Sequence, residues 1–417
     1  MNAFVAQLGA RRHYAVPVAL EAARSLACFA TDIYARHLWQ RKMILLWSGW
    51  FRSAPLKRLG GRYREIGLPT DKVVTFPWFG MQYKRVTHSA ARRSDPAAGW
   101  LWGGKRFCEL ASRLRDHHAD TVYAFTSAAR ELFLSWKGSA RLVLDHATAP
   151  RLFETRLMAE EADRFADWGP RYHRITESDH AYDQRQRAEV SLADIVVCGS
   201  SFIKRQLEAQ GVPSDVLKVV PLGFELPPPT SERQTDDSAA DGSLHVLFAG
   251  SEGIRKGIGY LSQSIALLHS HNISARYVGD LGFSERGLRE LRKTGVIVGP
   301  VPRAEMWKHY HWADVLVLPS VSETFGLVIL EAMSMGVPVI TTFNTAGPDI
   351  IREGIDGFLM PIRDSEAIAA RLDWMARNPA KVREMGHAAA RRAAEFTVEK
   401  YGERLLAAFA RTEQCPD

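Results

Sequence analysis

The sequence predicts an α/β protein made of two doubly wound, Rossmann-like domains that face each other across a cleft. Three observations predict it. Short apolar runs alternate with stretches of helical period in both halves of the chain. Buried strands alternating with helices imply a parallel sheet covered on both faces. The first run ends at a glycine turn that opens a helix, as in the first unit of such a sheet. Between the halves lies "ELPPPTSERQTDDSAADGS", rich in Pro, Ser, Thr and Asp with almost nothing to bury, which reads as a linker.

The elements follow in order. "AFVAQLG" (Ala3–Gly9) reads as a buried strand, and "VPVALEAARSL" (Val16–Leu26) carries helical periodicity. "DTVYAFTS", "ARLVLDHA" and "ADIVVCGS" read as further strands, and "LKVVPLGF" (Leu217–Phe224) closes the first half. The second half restarts with "LHVLFAG" (Leu244–Gly250), then "ARYVGD", "GVIVGP", "ADVLVLPS" and "VPVITT". The expected division is a domain over 1–225, a linker over 226–243, a second domain over 244–395 and a terminal helical segment over 396–417. The last helix, Val398 to Arg411, is free to pack on either domain, including by crossing back to the first. A ligand crevice is expected between the domains, at the carboxyl ends of the strands.

The chain has 417 residues, 46% of them hydrophobic and 24% charged, which is globular composition and excludes the disordered and fibrous classes. A net charge of +7 suits an anionic partner: a phosphate-bearing substrate, nucleic acid or an acidic membrane face. Cys28, Cys108, Cys198 and Cys415 form no C-x-x-C pair, which argues against a zinc site or disulfide framework and fits a reducing compartment. "MNAFVAQLGARRHY" lacks a basic-then-apolar signal pattern, and no apolar run reaches the roughly 18–20 residues needed to span a bilayer. The expected location is cytoplasmic, either free or peripheral on the cytoplasmic membrane face.

One stretch carries chemistry. In "SETFGLVILEAMSMGVPVI" (Ser322–Ile340), Glu323 and Glu331 flank a Phe-Gly-Leu step. Glu323 falls on the loop after the strand "VLVLPS". A helix is expected from Phe325 or Gly326 to Gly336. Its first turn offers free N–H groups and partial positive charge to an anion. Gly326 lets a phosphate approach the backbone, and Glu331 can accept hydrogen bonds from hydroxyls. Two carboxylates either side of an anion site suit an extended ligand with hydroxyls on both sides of a diphosphate, the layout of a nucleotide sugar.

The segment Leu244–Ala394 resembles the donor domain of family 4 glycosyltransferases, which have the GT-B fold. The matching pieces are "FAGSEGIRKGIGYLSQSIALL", "VIVGPVPRAEMWKHYHWADVLVLPSVSETFGLVILEAMSMGVPVITT" and "GPDIIREGIDGFLMPIRDSEAIA", in the family's order. The resemblance implies that Glu323 faces the donor sugar and that the backbone of Thr324, Phe325, Gly326 and Leu327 contacts sugar and diphosphate. It further implies that Glu331 binds ribose hydroxyls, that Lys256 neutralises the diphosphate, and that the turn holding Gly299 and Val301 holds the nucleobase. One departure stands out: Ser251 occupies a position where the family often has arginine. Arg255, or Arg11 or Arg12 from across the cleft, is the candidate to supply that charge.

The first half resembles the family less. Gly9 stands where GT-B enzymes place a glycine loop against donor phosphates, and Arg11, Arg12 and His13 follow it, a group suited to an anion or to the acceptor. "LVLDHATAP" sets Asp145 and His146 at a strand end, and His146 is the candidate for the histidine such enzymes often carry near the donor sugar. "RHLWQRKMILLWSGWFRSAPLKRLGGRYR" (Arg36–Arg64) interleaves tryptophans with basic residues, a pattern for an anionic membrane surface or a basic hairpin packed on its own rings. No nucleic-acid motif is present.

The resemblance implies a retaining transferase that moves a sugar from a nucleotide-diphosphate donor to a glycan or lipid-linked glycan, with Glu323, His146 and Lys256 at the chemistry. The sequence holds no Asp-x-Asp motif, so the expectation is no cofactor and no metal, with the helix terminus, Lys256 and an arginine stabilising the leaving diphosphate. The competing expectations are a nucleotide-sugar epimerase or phosphorylase on the same scaffold, and an inactive binding or scaffold protein.

Overall fold

The protein is described here by a computed structural model covering residues 1–34, 67–114, 118–169, 175–225, 242–268 and 273–409. The basic, Trp-rich stretch Arg36–Arg64 and nearly all of the linker lie outside the described residues.

The first sheet comprises β1 (Ala3–Gln7), β2 (Leu26–Thr31), β3 (Val73–Thr75), β4 (Thr121–Phe125), β5 (Arg141–His146), β6 (Ile195–Cys198) and β7 (Leu217–Val219). Their order is β3-β2-β1-β4-β5-β6-β7, and the pairings are parallel, for instance Tyr123 with Val143 and His146 with Cys198. Helices α1 (Ala15–Ala22), α2 (Pro77–Arg92), α3 (Pro96–Ala111), α4 (Arg130–Trp136), α5 (Arg151–Arg164), α6 (Glu177–Leu192) and α7 (Ser201–Glu208) cover its faces. Strands such as "AFVAQ" and "TVYAF" are buried along their whole length, as a doubly covered sheet demands.

The second sheet has β8 (Leu244–Ala249), β9 (Ile273–Val278), β10 (Val296–Gly299), β11 (Val315–Leu318), β12 (Val339–Thr342) and β13 (Gly357–Met360), in the order β10-β9-β8-β11-β12-β13. Its helices are α8 (Ile258–Leu267), α9 (Glu285–Arg292), α10 (Arg303–Trp312), α11 (Leu327–Ser334), α12 (Gly347–Ile350), α13 (Ser365–Arg377) and α14 (Pro379–Ala393). In both sheets the order reverses around the first strand, which opens a crevice at the carboxyl edge.

The chain then crosses back. At the crossing, Phe224 bridges Thr397, and Gly223 packs so close that a Cβ there would sit 2.4 Å from the Thr397 carbonyl oxygen. Helix α15 (Val398–Phe409) lies on α1, with Gly402 against Ala19. Tyr401, Leu405 and Phe409 bury into the first domain's core.

Three strands escape the periodicity reading. Helix α1 ends at Ala22 rather than Leu26, because Arg24 turns left-handed (φ 53°) and Ser25 N–H donates to Leu20 at 2.8 Å. Leu26 then starts β2. Strand β3, only "VVT", and β13, "GFLM", are too short to show a period. The run Leu217–Phe224 is a strand only to Val219, since Pro221 cannot donate to a ladder.

Candidate active site

The carboxyl edge of the second sheet is built by close backbone packing. Gly257 has φ 70°, and a Cβ there would lie 2.0 Å from the Pro319 oxygen. Only glycine fits, and this seats the Arg255–Lys256 turn on the end of β11. The Lys256 stem lies over Gly250, at 3.4–3.5 Å from where a Cβ would stand. Lys256 Nζ donates to Glu323 Oε2, and Arg255 Nη1 reaches the same oxygen at 3.4 Å and the Ser322 carbonyl at 3.0 Å. Arg255 thus stands beside Lys256, in the region where Ser251, exposed and uncharged, supplies no cation. Burial would raise the Glu323 carboxyl, but Lys256 and Arg255 outweigh it and hold it below the ordinary range.

Helix α11 begins one residue past Gly326, whose φ of 87° makes it a left-handed N-cap without a side-chain cap. Its first N–H groups therefore face the space in front of Glu323, Thr324 and Phe325. Leu327 opens the helix, and Phe325 is buried beneath it. One turn on, Glu331 accepts from Tyr310 Oη at 2.9 Å, with Arg303 Nη2 at 3.6 Å from its other oxygen. Gly299, at φ 81°, ends β10, and Val301 follows in the turn to α10. Glu323, Lys256, Arg255 and Glu331 therefore share one sheet edge with the α11 terminus.

The first sheet's carboxyl edge differs. Gly9 (φ 80°) turns the chain after β1, and its N–H donates to Asp32 at 3.0 Å. Arg11 extends over β4, donating to the Thr126 carbonyl at 3.2 Å and lying near Ser127 Oγ at 3.4 Å. Arg12 is placed elsewhere. Its guanidinium is buried against Asp145 (2.6 Å) and Tyr401 Oη (2.9 Å), while Tyr123 Oη donates to the other Asp145 oxygen at 2.6 Å. That network locks α15 to the domain. It removes Arg12 from the cleft and leaves Arg11 as the loop's arginine there, a correction to the expectation that Arg12 belongs to the acceptor or phosphate group and can supply charge across the cleft. His13 lies on the 3-10 turn Arg11–Tyr14. His146 is buried, and burial pushes its imidazole down to about 4, with Arg11 adding to the effect. Its Nδ1 faces the Thr148 carbonyl at 2.8 Å, so Nδ1 carries the proton and Nε2 the lone pair.

The two edges meet. Ser200 Oγ donates to the Thr324 carbonyl at 2.8 Å, Ser201 N–H to Asp349 at 2.8 Å, and Arg205 Nη2 to the Phe343 carbonyl at 2.7 Å. Glu154, in the first turn of α5, comes 3.5 Å from Ser322 Oγ. Burial raises its carboxyl despite Arg255 and Arg151, and Glu323 and Glu252 raise it further. Nothing in the sequence marks Glu154, because Ser322, Glu323, Arg255 and Glu252, which it faces, all come from the second domain. Tyr310 and Gly257 were also missed; the glycine in "RKG" was the one available signal.

Residues 243–378 match the family Glycosyl transferases group 1, and the second domain belongs to it. The two facing domains have the GT-B fold. Among curated proteins, the chain is 30% identical to a D-inositol 3-phosphate glycosyltransferase of Pseudarthrobacter chlorophenolicus over 232 residues, covering 50% of this chain and 55% of that one. It is 40% identical to the enzyme of the same name from Streptomyces griseus over 172 residues, covering 37% of this chain and 36% of that one. The chain thus spans about half or less of these relatives' length. Among solved structures, HepE of Anabaena in complex with UDP superposes with a TM-score of 0.62 at 16% identity, covering 98% of this chain and 99% of that one, a likeness of fold.

Proposed function

We propose that this chain is a retaining, metal-independent hexosyltransferase. It moves a sugar from a nucleotide-diphosphate donor to a glycan or lipid-linked glycan, in the synthesis of cell-surface polysaccharide or glycolipid. The observation that carries the reading is the convergence of Lys256 and Arg255 on Glu323 at the uncapped terminus of α11. A diphosphate placed there receives two cations and the free N–H groups, fixed in advance of the reaction. Glu323 is then freed to hold the sugar hydroxyls, and Glu331 takes the ribose.

The acceptor oxygen attacks the anomeric carbon on the face that the diphosphate leaves. The carbon–phosphate-oxygen bond breaks as the new glycosidic bond forms, and the acceptor's proton passes to the departing phosphate oxygen. No separate protein base is needed. Neutral His146 adds no positive charge beside a sugar that itself becomes cationic. The fold shared with HepE, whose structures hold UDP and UDP-glucose, makes UDP-sugars the first donors to try.

The test is release of nucleoside diphosphate from UDP-, GDP-, ADP- and dTDP-sugars, with EDTA present, followed by mass spectrometry alongside calorimetric binding. One donor should turn over. Lys256→Ala and Glu323→Ala should each lower the rate about 10²–10³-fold. Absence of both turnover and nucleotide binding would sink the donor-site reading, and turnover abolished by EDTA alone would overturn its metal-free part.

A further inference from the structure

We propose that the far end of α5 and the turn after it, residues 157–169, form a strut by which the first domain sets the loop carrying Arg255 and Lys256 in the second. The inference rests on the donor-site reading above and adds the residues that hold the donor-site cations in place. Helix α5 follows β5 of the first sheet, yet its far end is built into the other domain. Phe153, near the helix start, packs against the cores of both domains. Leu157, Met158 and Phe165 bury in the core of the second. Glu161, wholly buried, accepts from Tyr260 Oη at 2.7 Å and from Arg363 Nε at 2.5 Å. These contacts resemble a domain interior, which fixes one arrangement, more than the polar interface of two sliding bodies.

Beyond Arg164 the chain turns onto the loop itself. A Cβ on Gly259 would lie 2.4 Å from the Phe165 ring, and one on Gly169 would lie 3.0 Å from Ile254 Cδ1. Trp168 meets Phe283 edge-on at 5.7 Å, and its carbonyl accepts from the Ser284 N–H at 2.7 Å. Phe283 in turn covers Gly253, where a Cβ would come 2.6 Å from the ring. The Glu252 and Gly253 N–H groups donate to the Asp280 and Leu281 carbonyls at 3.1 and 3.0 Å. Gly253 and Ile254 precede the two cations and Gly259 follows them, so the strut grips the loop on both sides.

The loop needs that grip. Glu252 has a left-handed φ of 59°, which a non-glycine residue keeps only where its surroundings impose it. Cations stabilise a leaving diphosphate best when fixed in advance, and free Lys and Arg side chains lose much rotamer freedom on being fixed. The first turn of the same helix supplies Glu154, which faces Arg255. Trp168 and Phe165 are therefore positioning residues. They act through Phe283, Ile254 and Gly259, and they make the readiness of the cations depend on the two domains being docked.

The experiment is calorimetric binding of UDP, GDP, ADP and dTDP, and of the matching monophosphates, to the full chain, with hydrogen exchange followed over residues 252–258. Trp168→Ala should weaken the nucleoside diphosphate about tenfold and leave the monophosphate, which lacks the second phosphate, little changed. Exchange over 252–258 should quicken while that of β8 holds. Trp168→Phe keeps a ring against Phe283 and should restore both. Phe283→Ala breaks the same contacts from the other domain and should repeat both effects, which keeps the test decisive if Trp168→Ala fails to fold. Equal weakening of mono- and diphosphate, or unaltered exchange, would overturn the proposal and leave Trp168 a packing residue. Failure of the unaltered chain to bind any nucleoside diphosphate would instead sink the donor-site reading, and this proposal with it.

Discussion

At the carboxyl edge of the first sheet, Arg12 is enclosed by Asp145 and Tyr401. At the carboxyl edge of the second, Arg255 and Lys256 converge on Glu323 beside an uncapped helix terminus. Both edges place cations against carboxylates, yet the consequences differ. The first arrangement is closed by the Tyr401 and Tyr123 hydroxyls and serves the docking of α15. The second is open towards a ligand and carries more carboxylate than cation: Glu323, Glu252 and Glu154 surround Arg255 and Lys256. A buried charge is structural when its partners saturate it, and available for binding when a ligand can displace them.

That comparison can be broken or sharpened at three points. The largest effect is expected from Asp145→Ala, which leaves the Arg12 charge buried and unpaired. It should cost about 3–5 kcal/mol of stability in denaturant unfolding. A loss below about 1 kcal/mol would show that the first edge is not the structural one. The next is Glu331→Ala, which removes an acceptor for ribose hydroxyls. Nucleotide affinity should fall by about 1.5–3 kcal/mol, read by calorimetry, beside a stability loss of about 1–3 kcal/mol from leaving the buried Tyr310 hydroxyl without its acceptor. Unchanged affinity would detach Glu331 from the donor site.

The smallest effect is expected at Glu154. Its folded-state carboxyl is raised, by burial first and by Glu323 and Glu252 after it, while Arg255 and Arg151 oppose. The folded protein therefore binds more protons than the unfolded chain above the ordinary glutamate range. Stability should fall as pH rises through the raised value. An anionic ligand favours the neutral form, so nucleotide binding should weaken over the same window. Glu154→Gln should tighten binding several-fold at neutral pH and flatten that dependence. An unaltered pH profile in the variant would remove Glu154 from the site.

Much of the carboxyl edge of the second sheet was legible beforehand because it is local. Glu323, Gly326 and Glu331 lie within one strand–loop–helix unit, so their order along it could be read beforehand, while their roles towards a donor rest on the family resemblance. The helix start was placed within two residues, since a left-handed glycine has few other uses there. The first half was read less fully. Strands β2 and β3 were hidden, one inside an apparent helical period and one too short to have any. Arg11 and Arg12 looked alike in "GARRHY", and no local rule separates them.

The sequence by itself determined the two-domain α/β plan, the polar composition between the halves, and the order of Glu323, Gly326 and Glu331 along the second sheet's carboxyl edge, because hydrophobic period and turn chemistry are properties of neighbouring residues. Only the tertiary structure decided that Arg12 is saturated by Asp145 and Tyr401, that Arg255 joins Lys256 on Glu323, and that Glu154 stands against them from the other domain. Those outcomes depend on side chains distant in the chain being brought within a few ångströms, where burial strips away water and makes the identity of each neighbour decisive.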